Sequence, residues 1–219
     1  MYLYDRFTLF RGEASARTCF GIQGEKMALS LTKGQKISLT KEGGSGLTKV
    51  AMGLGWDAVR PKGILGFFSR PKEIDLDATC ILFGTAKNII DVVWFQQLQS
   101  KDGSIRHSGD NRTGVGDGDD ETIVVDLTRV PANVTSLIFT INSFTGQTFD
   151  QIENAFCRLV NLANKQEIAR YTLSGGGRVT AQIMSKIYRH NGEWKMAAIG
   201  EPANGQTFLD ILPTVVPFV

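Results

Sequence analysis

Apolar and polar positions alternate in short runs along most of this chain. KISLT (36–40), KVAMGLGW (49–56), IDLDATCILF (74–83) and IIDVVWF (89–95) come first. TIVVDL (122–127), TSLIFTINSF (135–144), EIARYTL (167–173) and TAQIMSKIYR (180–189) follow. Each is rich in β-branched and aromatic residues and is bounded by Gly, Pro, Asn or Asp, which predicts strands. TIVVDL alternates cleanly. SLIFTINSF is apolar on both faces and predicts a central strand. In YRHNGEWKM (188–196), Asn191-Gly192 between two strand-like runs predicts a two-residue hairpin turn.

Helical patterning is scarce. TFDQIENAF (148–156) predicts a short helix, with Thr148 or Asp150 near its cap. GQTFLDIL (205–212) predicts another, stopped by Pro213 and Pro217. Many close-set strands with few short helices point to an all-β fold, a β-sandwich or barrel, and away from a βαβ array. Residues 1–26 show no sustained period, and Met27 offers a second candidate start. They are read as an N-terminal extension, and residues 27–219 as the domain.

Composition narrows the classes. A chain of 219 residues buries a sizeable core without help from disulfides or metals. The balance of 24 basic against 22 acidic residues supplies no electrostatic drive toward nucleic acid, and no nucleic-acid partner is expected. Cys19, Cys80 and Cys157 are odd in number and lack paired spacing, which argues against a disulfide framework. No run reaches the roughly 18 apolar residues of a membrane span. Asp5, Arg6 and Arg11 interrupt any signal-peptide core. A cytoplasmic location is expected.

Charge is unevenly spread, and that alters the picture. HSGDNRTGVGDGDDE (107–121) places Asp110, Asp117, Asp119, Asp120 and Glu121 among four glycines and one arginine. Two carboxylates about 4 Å apart repel by roughly 4 kcal/mol at an effective dielectric near 20. Acids that converge therefore require a cation, whereas acids that point apart into water do not. Carboxylates and loop carbonyls are hard oxygen donors, and His107 and His190 are the only histidines in the chain. That chemistry favours calcium over zinc, and calcium over the geometrically stricter magnesium. Asp57 at the end of GLGWD, and Asp75 and Asp77 in IDLDA, are further candidates. In an extended segment, residues 75 and 77 face the same side, opposite Leu76. The loop lacks the EF-hand spacing. Gly53-Leu-Gly55-Trp-Asp-Ala58 loosely matches a dinucleotide fingerprint, but no helix is predicted after it.

GILGFF (63–68) is bracketed by Arg60, Lys62, Arg70 and Lys72. Two readings stand for residues 60–72. One is a loop folded back onto the sheets. The other is a basic and apolar tip that contacts a partner or an anionic membrane surface.

GLGWD (53–57), DLDA (75–78), DGSIRHSGDNRTGVGDGDDE (102–121), NAFCRLVN (154–161), IARYTL (168–173) and YRHNGEWKM (188–196) occur in one order. Together they resemble the tellurite-resistance TerD family of stress proteins. GILGFF and NSFTGQTFDQIENAFCRLVN (142–161) look closer to its TerZ-like branch. The resemblance implies a two-sheet β-sandwich that binds Ca2+ at one end. It implies metal ligands among Asp57, Asp75, Asp77, Asp110, Asn111, Asp117, Asp119, Asp120 and Glu121. Val115 departs from the family pattern, where Glu is expected, and removes one negative charge. The family role implied is resistance to tellurite and related stresses, with protein partners from the same gene cluster.

Two functions from different classes follow. The first is a non-enzymatic calcium-binding module that scaffolds or signals. The alternative is a metal-dependent phosphoester hydrolase that uses the clustered carboxylates. A third reading, tellurite chemistry at thiols, is disfavoured because Cys80 and Cys157 sit in apolar runs.

Overall fold

A computed structural model describes residues 28–44, 46–58, 75–109, 118–172 and 177–219. Among them lie twelve strands in two six-stranded sheets. The strands are β1 Leu29–Ser30, β2 Lys36–Ser38, β3 Lys49–Ala58, β4 Leu76–Gly84, β5 Ile89–Val93 and β6 Ile105–His107. They continue as β7 Glu121–Asp126, β8 Val134–Ser143, β9 Ile152–Asn161, β10 Gln166–Thr172, β11 Ala181–His190 and β12 Glu193–Ala203. The first sheet runs β1-β10-β9-β3-β7-β6 and the second β2-β12-β11-β8-β4-β5. Every pairing is antiparallel except β1 with β10. The all-β fold expected from the strand spacing is present, and it is the two-sheet sandwich that the resemblance implies.

The core lies between the sheets. Met52 and Leu54 of β3, Cys157 and Leu159 of β9 and Ile123 and Val125 of β7 meet Leu76, Cys80 and Leu82 of β4 and Leu137 and Phe139 of β8. These are alternate residues of each strand, which is what the period of two demands. A second apolar cluster covers the other face of the second sheet. Ile81, Phe83, Ile138 and Ile183 pack there with Phe208, Ile211 and Val215 of the helix α1, Phe208–Val215. Strand β8 thus sits between β11 and β4 with both faces covered, as its doubly apolar sequence predicts.

Three local expectations are corrected. TFDQIENAF is not a helix. A single 3-10 turn, Phe149–Gln151, precedes β9, which starts at Ile152. Pairing with β3 on one side and β10 on the other outweighs the weak helical spacing, and Asn154 at φ 53° breaks it. Pro213 does not stop α1, which runs on to Val215. The bond Pro213 forfeits is to the carbonyl of Leu209, the most exposed large apolar residue described, while Ile211 and Val215 stay anchored on the sheet. KISLT ends as a strand at Ser38, whose hydroxyl accepts from the Lys41 amide and caps a five-residue helix, Leu39–Gly43. The hairpin expected at Asn191-Gly192 is present, with φ 51° and 79°, the left-handed pair of a type I′ turn. Among the described residues, no helix is long and apolar enough to cross a membrane.

Ile211 is 1% exposed and Leu209 58% exposed on the same helix. Ile211→Ala is expected to cost about 2–5 kcal/mol of unfolding free energy. Leu209→Ala is expected to stay within about 0.5 kcal/mol of the parent. Urea unfolding of the two variants checks both.

Candidate metal centre

Three acidic pieces of sequence meet at one end of the sandwich, and hydrogen bonds to main-chain amides join them. The Asp120 amide donates to the Leu54 carbonyl at 2.8 Å, continuing the β3–β7 ladder past Glu121. The Trp56 amide donates back to Asp120 Oδ2 at 2.8 Å. Across the sandwich, the Ala78 amide donates to Glu121 Oε2 at 2.7 Å. Strand β5 ends at Val93, opposite Cys80, so Ala78 lies beyond the reach of that neighbour. The Glu121 side chain takes its place. GLGWD, DLDA and the end of DGDDE are thereby tied together.

The glycines of GLGWD have a steric reason. A Cβ on Gly53 would lie 2.1 Å from Asp119 Oδ2, and one on Gly55 would lie 2.7 Å from the Gly118 carbonyl oxygen. The acidic segment lies directly on these two residues, and only a missing side chain allows it. Opposite them β9 bulges. Gly55 pairs with Phe156 but Asp57 pairs with Glu153, so β9 carries one extra residue. Asn154 in that bulge takes a left-handed φ of 53° and donates from Nδ2 to Asp57 Oδ2 at 2.8 Å.

The predicted ligands separate into groups. Asp57 and Asp120 share an open pocket of 380 Å³ with Trp56, Gly118, Asn154, Phe156, Arg170 and Thr172. Burial pushes the Asp120 carboxyl above its ordinary range, and the charges of Asp57, Glu121 and Asp119 add to that, while the Trp56 amide opposes it. Asp119 is turned toward a protein cation. Arg158 Nε lies 2.7 Å from Oδ1 and Nη2 3.1 Å from Oδ2, a two-pronged pair. Glu121 is fully buried, with His107 Nε2 3.2 Å from Oε2. The His107 ring N–H is not aligned for a hydrogen bond there, so that contact is close proximity of two buried groups. Asp77 is buried and Asp75 half-buried at the start of β4, with Leu76 between them in the core. Neither lines the pocket. Asp110, Asn111 and Asp117 lie outside the described residues, as do Val115 and the 60–72 segment.

The donor chemistry of the pocket suits a hard cation. Its acidic wall consists of oxygen atoms, and among the described residues no Cys or His lines it. Among the described residues, no three Asp, Glu, His or Cys side chains group closely enough to hold an ion by themselves. Asp57 and Asp120, with Gly118 beside them, form a partial set. The two described thiols, Cys80 and Cys157, are no competitor. Burial drives Cys80 far above its ordinary range and Cys157 up to about 12, so neither forms a reactive thiolate.

Several contributors were not singled out from sequence. Arg158, Glu167 and Arg170 form a chain on the outer face of the first sheet. Arg158 Nη1 lies 3.2 Å from Glu167 Oε2, and Arg170 Nη2 2.8 Å from the same atom. Their signal was available in the strand period. Phe156 and Arg158 share one face of β9, and Arg170 and Thr172 one face of β10. Asn154 gave no signal, because its role depends on a bulge that only pairing defines.

The two-sheet sandwich is shared with known proteins. The sequence matches the TerD domain over residues 27–212. It is 48% identical over 192 residues to the tellurium resistance protein TerZ of Serratia marcescens, covering 87% of this chain and 98% of that one. It is 42% identical over 203 residues to the stress response protein SCP2 of Bacillus subtilis, covering 87% and 100% respectively. The crystal structure of a homologue of telluride resistance protein (TerD) from Streptomyces coelicolor shares the fold. It superposes with a TM-score of 0.61 at 23% identity over 75% of this chain and 95% of that one. The chain belongs to the TerD family of tellurium-resistance and stress-response proteins.

Two outcomes test this geometry. Gly53→Ala forces a methyl group into the Asp119 carboxylate and should cost about 1–3 kcal/mol in denaturant unfolding. Asp120→Asn removes a charge that burial and neighbours disfavour. The folded-state carboxyl titrates above its unfolded value, so ionisation costs stability as pH rises. The variant should therefore unfold at a higher temperature than the parent in calcium-free buffer at neutral pH. That advantage should vanish below about pH 3.9, the ordinary aspartate value.

Proposed function

We propose that this protein is a calcium-binding, non-enzymatic module of the stress response that works in the cytoplasm. Calcium would order its acidic end and present a surface to protein partners from the same resistance gene cluster. The observation that carries the reading is the pocket of Asp57 and Asp120. Two carboxylates face one cavity there, and the Asp120 carboxyl is pushed up by its own burial and by three neighbouring acids. A hard divalent ion relieves that repulsion and strengthens the junction of three sequence segments. Asp110, Asn111 and Asp117, which the family resemblance names as further ligands, lie outside the described residues, and the 75–77 pair does not line this pocket. Relatives named for tellurium resistance and stress response support the role.

Calcium titration followed by calorimetry and thermal unfolding tests this. At about 100 times the dissociation constant, calcium should add about 2.7 kcal/mol. In a domain of this size that is a rise of roughly 5–10 °C. Asp57→Asn with Asp120→Asn should remove most of the rise. Saturating calcium without a shift would count against the reading. Turnover of phosphodiesters under magnesium or manganese, lost in the same double variant, would replace it with the hydrolase.

A further inference from the structure

The pocket has a second wall of opposite character. Arg170 lies over the Phe156 ring, with its guanidinium carbon 4.2 Å from the ring centroid. Glu167 fixes it from the side, accepting from Nε at 2.9 Å and from Nη2 at 2.8 Å. The guanidinium is thus held by a stack and a two-pronged pair, and Nη1 is left without a hydrogen bond among the described residues. Thr172, exposed at the end of β10, stands two residues along on the same face. These groups line the same 380 Å³ cavity as Asp57, Asp120 and Gly118.

A bare ion does not need such a space. A water molecule occupies about 30 Å³, and pockets for small molecules run from about 300 to 1,000 Å³. Calcium takes six to eight oxygen ligands, more than two carboxylates supply, so some positions are open to oxygens of a ligand. Acids and a fixed cation sharing one cavity also constrain the occupant. An anion alone would face Asp57 and Asp120, and a cation alone would face Arg170. The two together satisfy both walls.

We propose that this pocket binds a divalent cation jointly with a small oxyanion of the phosphate class. The cation sits on Asp57 and Asp120, beside Gly118. The oxyanion spans from it to Arg170 Nη1 and the Thr172 hydroxyl. The inference rests on the calcium reading above and names the ligand of that same site. Its physical signature is coupling, because each ion removes the repulsion that the other would meet. By thermodynamic linkage, the gain is the same from either side.

The test is calorimetric titration of calcium into the full chain with and without inorganic phosphate, kept below the concentration at which calcium phosphate precipitates. A parallel arm uses O-phosphoserine, which separates a free ion from the end of a phosphoester. Phosphate should tighten calcium binding by at least about fivefold. Arg170→Gln should bind calcium alone at least as tightly as the parent and lose the phosphate effect. Thr172→Val, which leaves the Arg170–Glu167 pair intact, should reduce the effect in a chain with unchanged thermal unfolding. Calcium binding that is indifferent to both phosphate and phosphoserine overturns this proposal and leaves the calcium reading standing. A phosphate effect that survives in Arg170→Gln also overturns it. Absence of calcium binding overturns both.

Discussion

The Glu121 carboxylate is the constraint on which the acidic end depends. It leaves β7 in one sheet and accepts the Ala78 amide of β4 in the other, at a point that β5 does not reach. A buried carboxylate without partners is expensive, so this side chain has little freedom to go elsewhere. With Glu121 fixed, the two residues before it are fixed as well. Asp120 falls on the Leu54 carbonyl and the Trp56 amide, and Asp119 falls over Gly53. The placement of every described acid of the DGDDE motif follows from one bond across the sandwich.

The same constraint assigns different work to chemically similar residues. Glu121 is a structural acid held between sheets. Asp119 is compensated by Arg158, and through Glu167 that arginine is coupled to Arg170. Asp57 and Asp120 remain with a cavity between them. Counting acids along the sequence treats all of these as equals. Separating them requires knowing which protein cation or amide each one meets, and those partners lie 39 to 97 positions away in the chain.

Much of the architecture was legible because the period of two is a local signal. SLIFTINSF reads as doubly apolar, and it is central because α1 covers its outer face. Asn191-Gly192 reads as a type I′ turn because only such residues adopt positive φ at both positions cheaply. The failures have a common cause. In TFDQIENAF and across Pro213, tertiary contacts outweighed a local rule. The bulge at Asn154 is a property of two strands and not of either one. At the acidic end, the residues of GLGWD, DLDA and DGDDE were legible as a group. Arg158 and Arg170 were less so, since an outward arginine on a strand is common and acquires meaning only beside Asp119 or Phe156.

The division of acids also bears on how a sandwich can fold and still keep a site for an ion. If all the converging carboxylates relied on a metal, the repulsion among them would oppose assembly of the three segments before the ion arrived. Here Asp119 and Glu121 bring their own partners, so the junction closes on protein contacts. Asp57 accepts from Asn154 and Asp120 from the Trp56 amide, both at the mouth of the cavity, where water screens part of their charge. An ion then meets a formed site whose electrostatic cost is concentrated on the atoms it would touch. Arg170 on the facing wall adds a further condition, because it disfavours a cation that arrives alone. On the proposal made above, such a pocket takes a cation alone and holds it more tightly when an oxyanion joins it.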